Sequence, residues 1–111
     1  MPFATPARLP GRLIFPGITG RFVHLERLTC GEVELADGAV VQPHQHPHEQ
    51  VTYVLSGRLR FTVGTETQVL ESGMCAVIPS GTTHSGLALT ACRVLDVFSP
   101  ARDDFRPAAN A

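Results

Sequence analysis

From residue 12 to residue 98 the chain repeats one pattern: a short run rich in Val, Leu, Thr and Phe, then a break carrying Gly, Pro, Asp or Ser. Within the runs, apolar and polar positions alternate with a period of two. That is the period of a strand with one buried face, not the 3.6 of a helix. The alternation predicts strands over 12–15, 21–28, 30–35, 39–42, 50–55, 58–63, 66–70, 75–78, 84–89 and 92–98. Asp37-Gly38, Ser56-Gly57, Gly64-Thr65, Ser72-Gly73 and Ser80-Gly81 supply the turns between them. No stretch holds a clean helical period, save a last turn near 101–106. Short strands at this spacing form an all-β sandwich or barrel.

Length and composition narrow the picture further. A chain of 111 residues makes one domain. Its expected layout is a loose N-terminal segment over 1–20, a single domain over 21–106 and a loose tail over 107–111. Apolar residues make up 43% and charged residues 17%, the balance of a folded globule. Nine basic and ten acidic residues are scattered along the chain, with a net charge of -1, so no basic patch points to nucleic acid or to a membrane surface. The opening MPFATPARLPGRLIFPG lacks the continuous apolar core of a signal peptide, and no apolar run reaches membrane-spanning length. A cytoplasmic location is expected. Cys30, Cys75 and Cys92 are odd in number and far apart, which fits small buried residues in a reducing compartment better than a disulfide framework.

The candidate chemistry begins at PHQHPHEQVTYVLSG, residues 43–57, where His44, His46, His48, Glu49 and Gln50 crowd together. If His44 opens a strand, positions 44, 46, 48 and 50 share a face, although Pro47 can bend that row. A transition metal needs three or four converging N, O or S donors, and imidazole is its commonest protein ligand. His44 and His46 offer two. His84, at the end of GMCAVIPSGTTH, is the other histidine in a comparable setting, delivered by a strand and a Pro-Ser-Gly turn to an antiparallel neighbour. His24 reads as a surface or hydrogen-bonded histidine.

These segments resemble the two motifs of the cupin family. GAVVQPHQH fits the first, with Gly38, five residues, then His44-x-His46; Gln50 stands four residues after His46, and Gly57 seven beyond that. GMCAVIPSGTTH fits the second, with Gly73, Pro79, Gly81 and His84, and residues 58–72 separate the two. The resemblance implies a double-stranded β-helix, the small cupin or jelly-roll barrel. It also implies a divalent metal (Ni, Zn, Fe, Mn or Co) held by His44, His46, Gln50 and His84. Two departures stand out: Gln50 replaces the usual glutamate, and Ala88 stands where an asparagine is expected. Glu49 has the opposite strand parity and is expected to point away, with His48 at the rim. A neutral amide leaves the ion its full charge, which favours polarising a substrate oxygen over redox cycling with dioxygen. The plainer alternative for Gln50 is a hydrogen bond to backbone.

CRVLDVFSPARDDF closes the ordered chain, and alternation sets Val94, Asp96 and Phe98 on one strand face. A carboxylate on an inner face needs a metal, a cation or a ligand, and Arg102 is a candidate partner. The bland alternative is an Asp–Arg pair that ties down the tail. HPHEQVTYVLSG, the segment around His84 and above all LDVFSPARDDF are similar to the pectin-degradation cupins of the KdgF type, over roughly residues 20–106. That resemblance assigns catalysis to Asp96, Phe98 and Arg102. It implies promotion of the opening of 4,5-unsaturated uronic acids to linear 4-deoxy keto-uronates, so the expected partner is a small-molecule sugar acid. Asp96 would serve as acid/base, Arg102 as carboxylate clamp and Phe98 as pocket wall. The rival readings are a metal-dependent cupin dioxygenase, a non-catalytic small-ligand-binding cupin and a sugar epimerase. Edge strands, and a segment 12–28 richer in β pattern than a lone barrel needs, lead us to expect a homodimer.

Overall fold

Short runs with alternating burial and glycine at the breaks leave antiparallel pairing as the way to satisfy the backbone, and the computed structural model, which describes residues 2–107, is built of it throughout. Ten strands follow one another: β1 (Arg12–Phe15), β2 (Ile18–His24), β3 (Thr29–Leu35), β4 (Val40–His44), β5 (Glu49–Ser56), β6 (Leu59–Val63), β7 (Glu66–Leu70), β8 (Cys75–Ile78), β9 (His84–Ala88) and β10 (Cys92–Ser99). Single 3-10 turns at Pro6–Arg8 and Asp103–Phe105 are the helical pieces among the described residues. Two antiparallel sheets result, one of six strands in the order β1-β2-β3-β10-β5-β8 and one of four in the order β4-β9-β6-β7. This is the jelly-roll barrel.

The inward rows of the two sheets divide the interior into an apolar end and a polar end. Val33 and Leu35 of β3, Val54 of β5, Leu59 of β6 and Val94 of β10 are all almost fully buried and form the apolar end. Following β5 backwards, the inward row runs Val54, Thr52, Gln50; following β10 forwards it runs Val94, Asp96, Phe98. The register pairs Asp96 with Thr52 and Phe98 with Gln50, so the two rows turn polar at the same level. On the other side Asp96 lies opposite Gly31, whose lack of a side chain makes way for the Phe22 ring.

The structure departs from the sequence reading at its N-terminal side. The second strand begins at Ile18, earlier than expected, and ends at His24, with residues 25–28 closing a turn through a Leu25 N–H to Leu28 carbonyl hydrogen bond. Val23, His24 and Leu25 continue the strand alternation past the observed end, and no glycine or proline marks the turn. The boundary expected at residue 20 falls inside β2. β1 lies wholly in the segment expected to be loose, and its Ile14 and Phe15 pack against the core. Both strands pair within the chain's own sheet. Of the cysteines, Cys92 is buried, Cys30 half-buried and Cys75 exposed on the outer face of edge strand β8. The tail expected to be loose lies outside the described residues beyond Pro107.

Candidate metal centre

His44 is the last residue of β4 and His84 the first of β9, and the two stand opposite each other in register. His46 and His48 are not on a strand. They sit in the connection from β4 to β5, so the single shared face expected for 44, 46, 48 and 50 does not form. Pro47, which lacks an N–H to continue a ladder, interrupts it. Other groups hold the connection instead: the Gly81 N–H donates to the His46 carbonyl (2.9 Å) and the Ser80 hydroxyl to the Pro47 carbonyl (2.6 Å). Strand parity resumes at β5, with Glu49 exposed and Gln50 buried.

The ligand atoms offered by His44, His46 and His84 all lie within 4.8 Å of one another, a group that could hold a metal ion. Each ring has its Nδ1 on a backbone carbonyl: His44 on Gln42 (2.7 Å), His46 on His48 (3.0 Å) and His84 on Thr82 (2.9 Å). A carbonyl only accepts, so every Nδ1 carries the proton and every Nε2 is left with a bare lone pair, the ligating form. Burial pushes the His84 imidazole down to about 4, helped by the neighbouring His44, His46 and Arg102 and opposed by the Thr82 bond. Burial also lowers His46, with Arg102 adding to it. Both rings are therefore held in the neutral form that binds metal.

Two details say that a cation fits among these atoms. The His84 Nε2 is buried without a hydrogen-bond partner, an expensive omission for a polar atom. The His46 Nε2 stands 2.9 Å from the Gln50 Oε1, so two acceptors face each other. Two ligands each about 2.1 Å from one ion lie about 3 Å apart, which is this spacing. Gln50 is the fourth donor of the group, and its amide is tied on the far side. Its Nε2 donates to the Thr52 hydroxyl (2.8 Å) and more weakly to Asp96 Oδ1 (3.4 Å), while Thr52 donates to the same Oδ1 at 2.6 Å.

Asp96, 9% exposed, is the buried carboxylate of the interior. Burial raises it to about 6 against the opposing hydrogen bonds of Thr52 and Gln50 and the charge of Arg102. The direct Asp96–Arg102 pair considered from the sequence is not present. Arg102 makes its two-pronged pair with Asp104, Nε to Oδ1 at 3.0 Å and Nη2 to Oδ2 at 2.8 Å. Its guanidinium lies 3.9 Å from the Phe105 ring centre and 4.8 Å from that of Phe98. The Arg102 N–H donates to buried Thr29, which also bonds His24. Phe98 meets His46, Phe22 and Phe105 edge to face and is 3% exposed.

Of the seven site residues expected from the sequence, His44, Gln50, His84, Asp96, Phe98 and Arg102 line one cavity of about 250 Å³ inside the barrel and His46 does not; Thr52 and Phe105 line it too. Its walls are otherwise mostly apolar, and they include Phe15 of β1, whose ring lies edge-on to His44. Sequence reasoning missed Thr52, Asp104, Phe105 and Phe15. Only Thr52 carried a signal, since it follows Gln50 at strand parity. His48 packs edge-on against His46 and Phe98, outside the cavity wall.

Comparison with known proteins agrees with this geometry. The cupin domain family model (Cupin_2) matches residues 31–98. An uncharacterised protein of Streptomyces coelicolor is 32% identical over 81 residues, covering 72% of this chain and 77% of its own. An RmlC-like cupin from Shewanella frigidimarina superposes with a TM-score of 0.89 at 27% identity, over 96% of both chains. KdgF from Halomonas sp. superposes with a TM-score of 0.87 at 34% identity, over 94% of this chain and 97% of that one.

Proposed function

The chain belongs to the cupin family, and on that premise we propose that it is a metal-dependent enzyme that opens the ring of 4,5-unsaturated uronic acids. One observation carries the reading: a single cavity is lined by two members of the three-histidine group, His44 and His84, by the buried Asp96 carboxylate and by Arg102, which packs against the Phe98 and Phe105 rings, while His46 completes the group beside it. The likeness to KdgF and the LDVFSPAR tail support the substrate class. In this reading His44, His46, Gln50 and His84 hold a divalent transition metal. The metal supplies Lewis-acid polarisation of a substrate oxygen.

The rest falls to the chain's own side chains. Opening a cyclic hemiacetal that is also an enol ether removes the proton of the hemiacetal hydroxyl, breaks the ring C–O bond and leaves an enolate. The enolate becomes a ketone when carbon takes up that proton. A single group that both accepts and donates near neutral pH serves both steps, and a carboxylate raised to about 6 by burial is such a group. Asp96 takes that role. Arg102, with its Nε edge on Asp104, keeps the donors of Nη1 and one of Nη2 for the substrate carboxylate. Phe98 walls the cavity beneath it.

The test is the loss of ultraviolet enol-ether absorbance of freshly made 4,5-unsaturated galacturonate, measured against its spontaneous decay. Metal-loaded protein is expected to accelerate the loss, and chelation to remove the acceleration. Asp96→Asn should lower the rate about a hundredfold or more with metal retained, and Arg102→Ala should raise KM. No acceleration by metal-loaded protein, or full activity in Asp96→Asn, would reject the assignment.

A further inference from the structure

We infer that Thr52 is a positioning residue whose one hydroxyl both sets which end of the Gln50 amide faces the histidines and holds Asp96 beside it. The inference rests on the metal reading above. An amide is nearly the same shape when turned end for end, but only its oxygen can ligate a metal. Its orientation has to come from elsewhere.

The hydrogen-bond directions supply it. An ionised carboxylate accepts and cannot donate, so across the 2.6 Å contact Thr52 gives its proton to Asp96 Oδ1. The Thr52 oxygen then has only lone pairs left. The partner 2.8 Å away must present an N–H, and Gln50 turns its Nε2 toward Thr52. The Oε1 is thereby driven to the opposite side, 2.9 Å from the His46 Nε2. Thr52 is 3% exposed and Gln50 8%, so water has little access to compete. The same chain of donors accounts for an amide at position 50. A glutamate there would be acceptor-only at both ends. It would face the Asp96 carboxylate across the 3.4 Å now bridged by an N–H, with one Thr52 proton to share between two carboxylates.

Co(II) is a suitable probe, because its visible absorption reports the donor set. The full-length chain, stripped by chelator, is titrated with Co(II) at pH 7.5 as wild type, Thr52→Val and Thr52→Ser. Thr52→Val is expected to lose at least tenfold in Co(II) affinity and to change the visible spectrum. Thr52→Ser, which keeps the hydroxyl, should stay within about twofold of wild type. A Thr52→Val protein with wild-type affinity and spectrum overturns the inference, as does a Thr52→Ser protein as impaired as the valine. A second measurement needs no variant. The side-chain NH2 of Gln50 in metal-free wild type should exchange with solvent far more slowly than that of exposed Gln42. Equal rates overturn the inference even if Thr52→Val does not fold. If wild type takes up no Co(II), the metal reading itself fails and the inference falls with it.

Discussion

His84 and Asp96 are both buried in the same interior, and burial moves them in opposite directions, His84 down to about 4 and Asp96 up to about 6. Folded His84 resists protonation that the unfolded chain accepts at 6.5, so its contribution is complete above that pH and is lost as pH falls toward 4. Folded Asp96 takes up a proton more readily than the unfolded carboxyl does at 3.8. Its contribution is complete below 3.8 and is lost as pH rises through 6. The two slopes oppose each other over nearly the same window, each worth about 3 kcal/mol. His46 and His24, also lowered, add to the His84 slope, so metal-free wild type should lose stability as pH falls from 7 to 4, with Asp96 offsetting part of the loss. Asp96→Asn removes one slope and should lose about 3 kcal/mol more than wild type over that interval, read from urea unfolding at a series of pH values. Parallel profiles for the two proteins would refute the account. At this scale strand parity carried part of the way: Gln50, Asp96 and Phe98 face inward as alternation expects and share a cavity with His44, His84 and Arg102, whereas His46 lies outside its lining. The partner of Arg102 was not legible, because whether a carboxylate six residues back or two ahead is met depends on the fold of the tail after Ser99.

Among the elements, turns were easier to read than the connection that carries the site. Dipeptides such as Asp37-Gly38 and Ser56-Gly57 mark turns through local backbone preference, and both glycines adopt positive φ, 81° and 88°. Their surroundings differ in a way no sequence shows. A Cβ at Gly38 meets nothing within 4 Å, whereas at Gly57 it would stand 2.2 Å from the Ala91 carbonyl oxygen and 2.9 Å from the Cys92 Cα, both backbone atoms. Gly38→Ala should cost about 1 kcal/mol, the left-handed conformation alone. Gly57→Ala should cost several-fold more, since the β5–β6 turn has to move off the loop before β10. Denaturant unfolding of the two variants separates these cases, and equal losses would show that the clash is relieved cheaply. The stretch around Pro47 was harder because its placement comes from Ser80 and Gly81, more than thirty residues away. Alternation alone extended a strand through it. β1 was legible as a strand over 12–15, but composition alone put it in a loose N-terminal segment, because prolines and arginines surround it and its Ile14 and Phe15 meet the barrel wall only in the fold.

Over the whole molecule the candidate ligands bridge parts that the backbone ladders leave separate. His44 and His84 belong to the four-stranded sheet, Gln50 to the six-stranded sheet, and His46 to the chain that crosses between them. One ion contacting all four would fasten the sheets together at the polar end, where the apolar core of Val33, Leu35, Val54, Leu59 and Val94 does not reach. Without an ion that end keeps a buried unpartnered His84 Nε2 and the opposed His46 and Gln50 acceptors, both unfavourable. Metal should therefore act on the stability of the whole barrel and not only on the reaction. An ion that binds the folded chain alone at a thousandfold its Kd adds about 4 kcal/mol. For a domain of this size each kcal/mol moves Tm by about 4–8 °C, so a rise of more than about 10 °C is expected on saturation. Thermal unfolding of chelator-treated protein with Ni, Zn, Fe, Mn and Co in turn measures it, and the largest shift at equal concentration ranks the metals against the general order of affinity. His84→Ala removes a donor shared by the site and the sheet contact, so its Tm should scarcely respond. An equal rise in that variant would place the ion elsewhere, and no rise with any of the five metals would leave the two sheets joined by the apolar core alone.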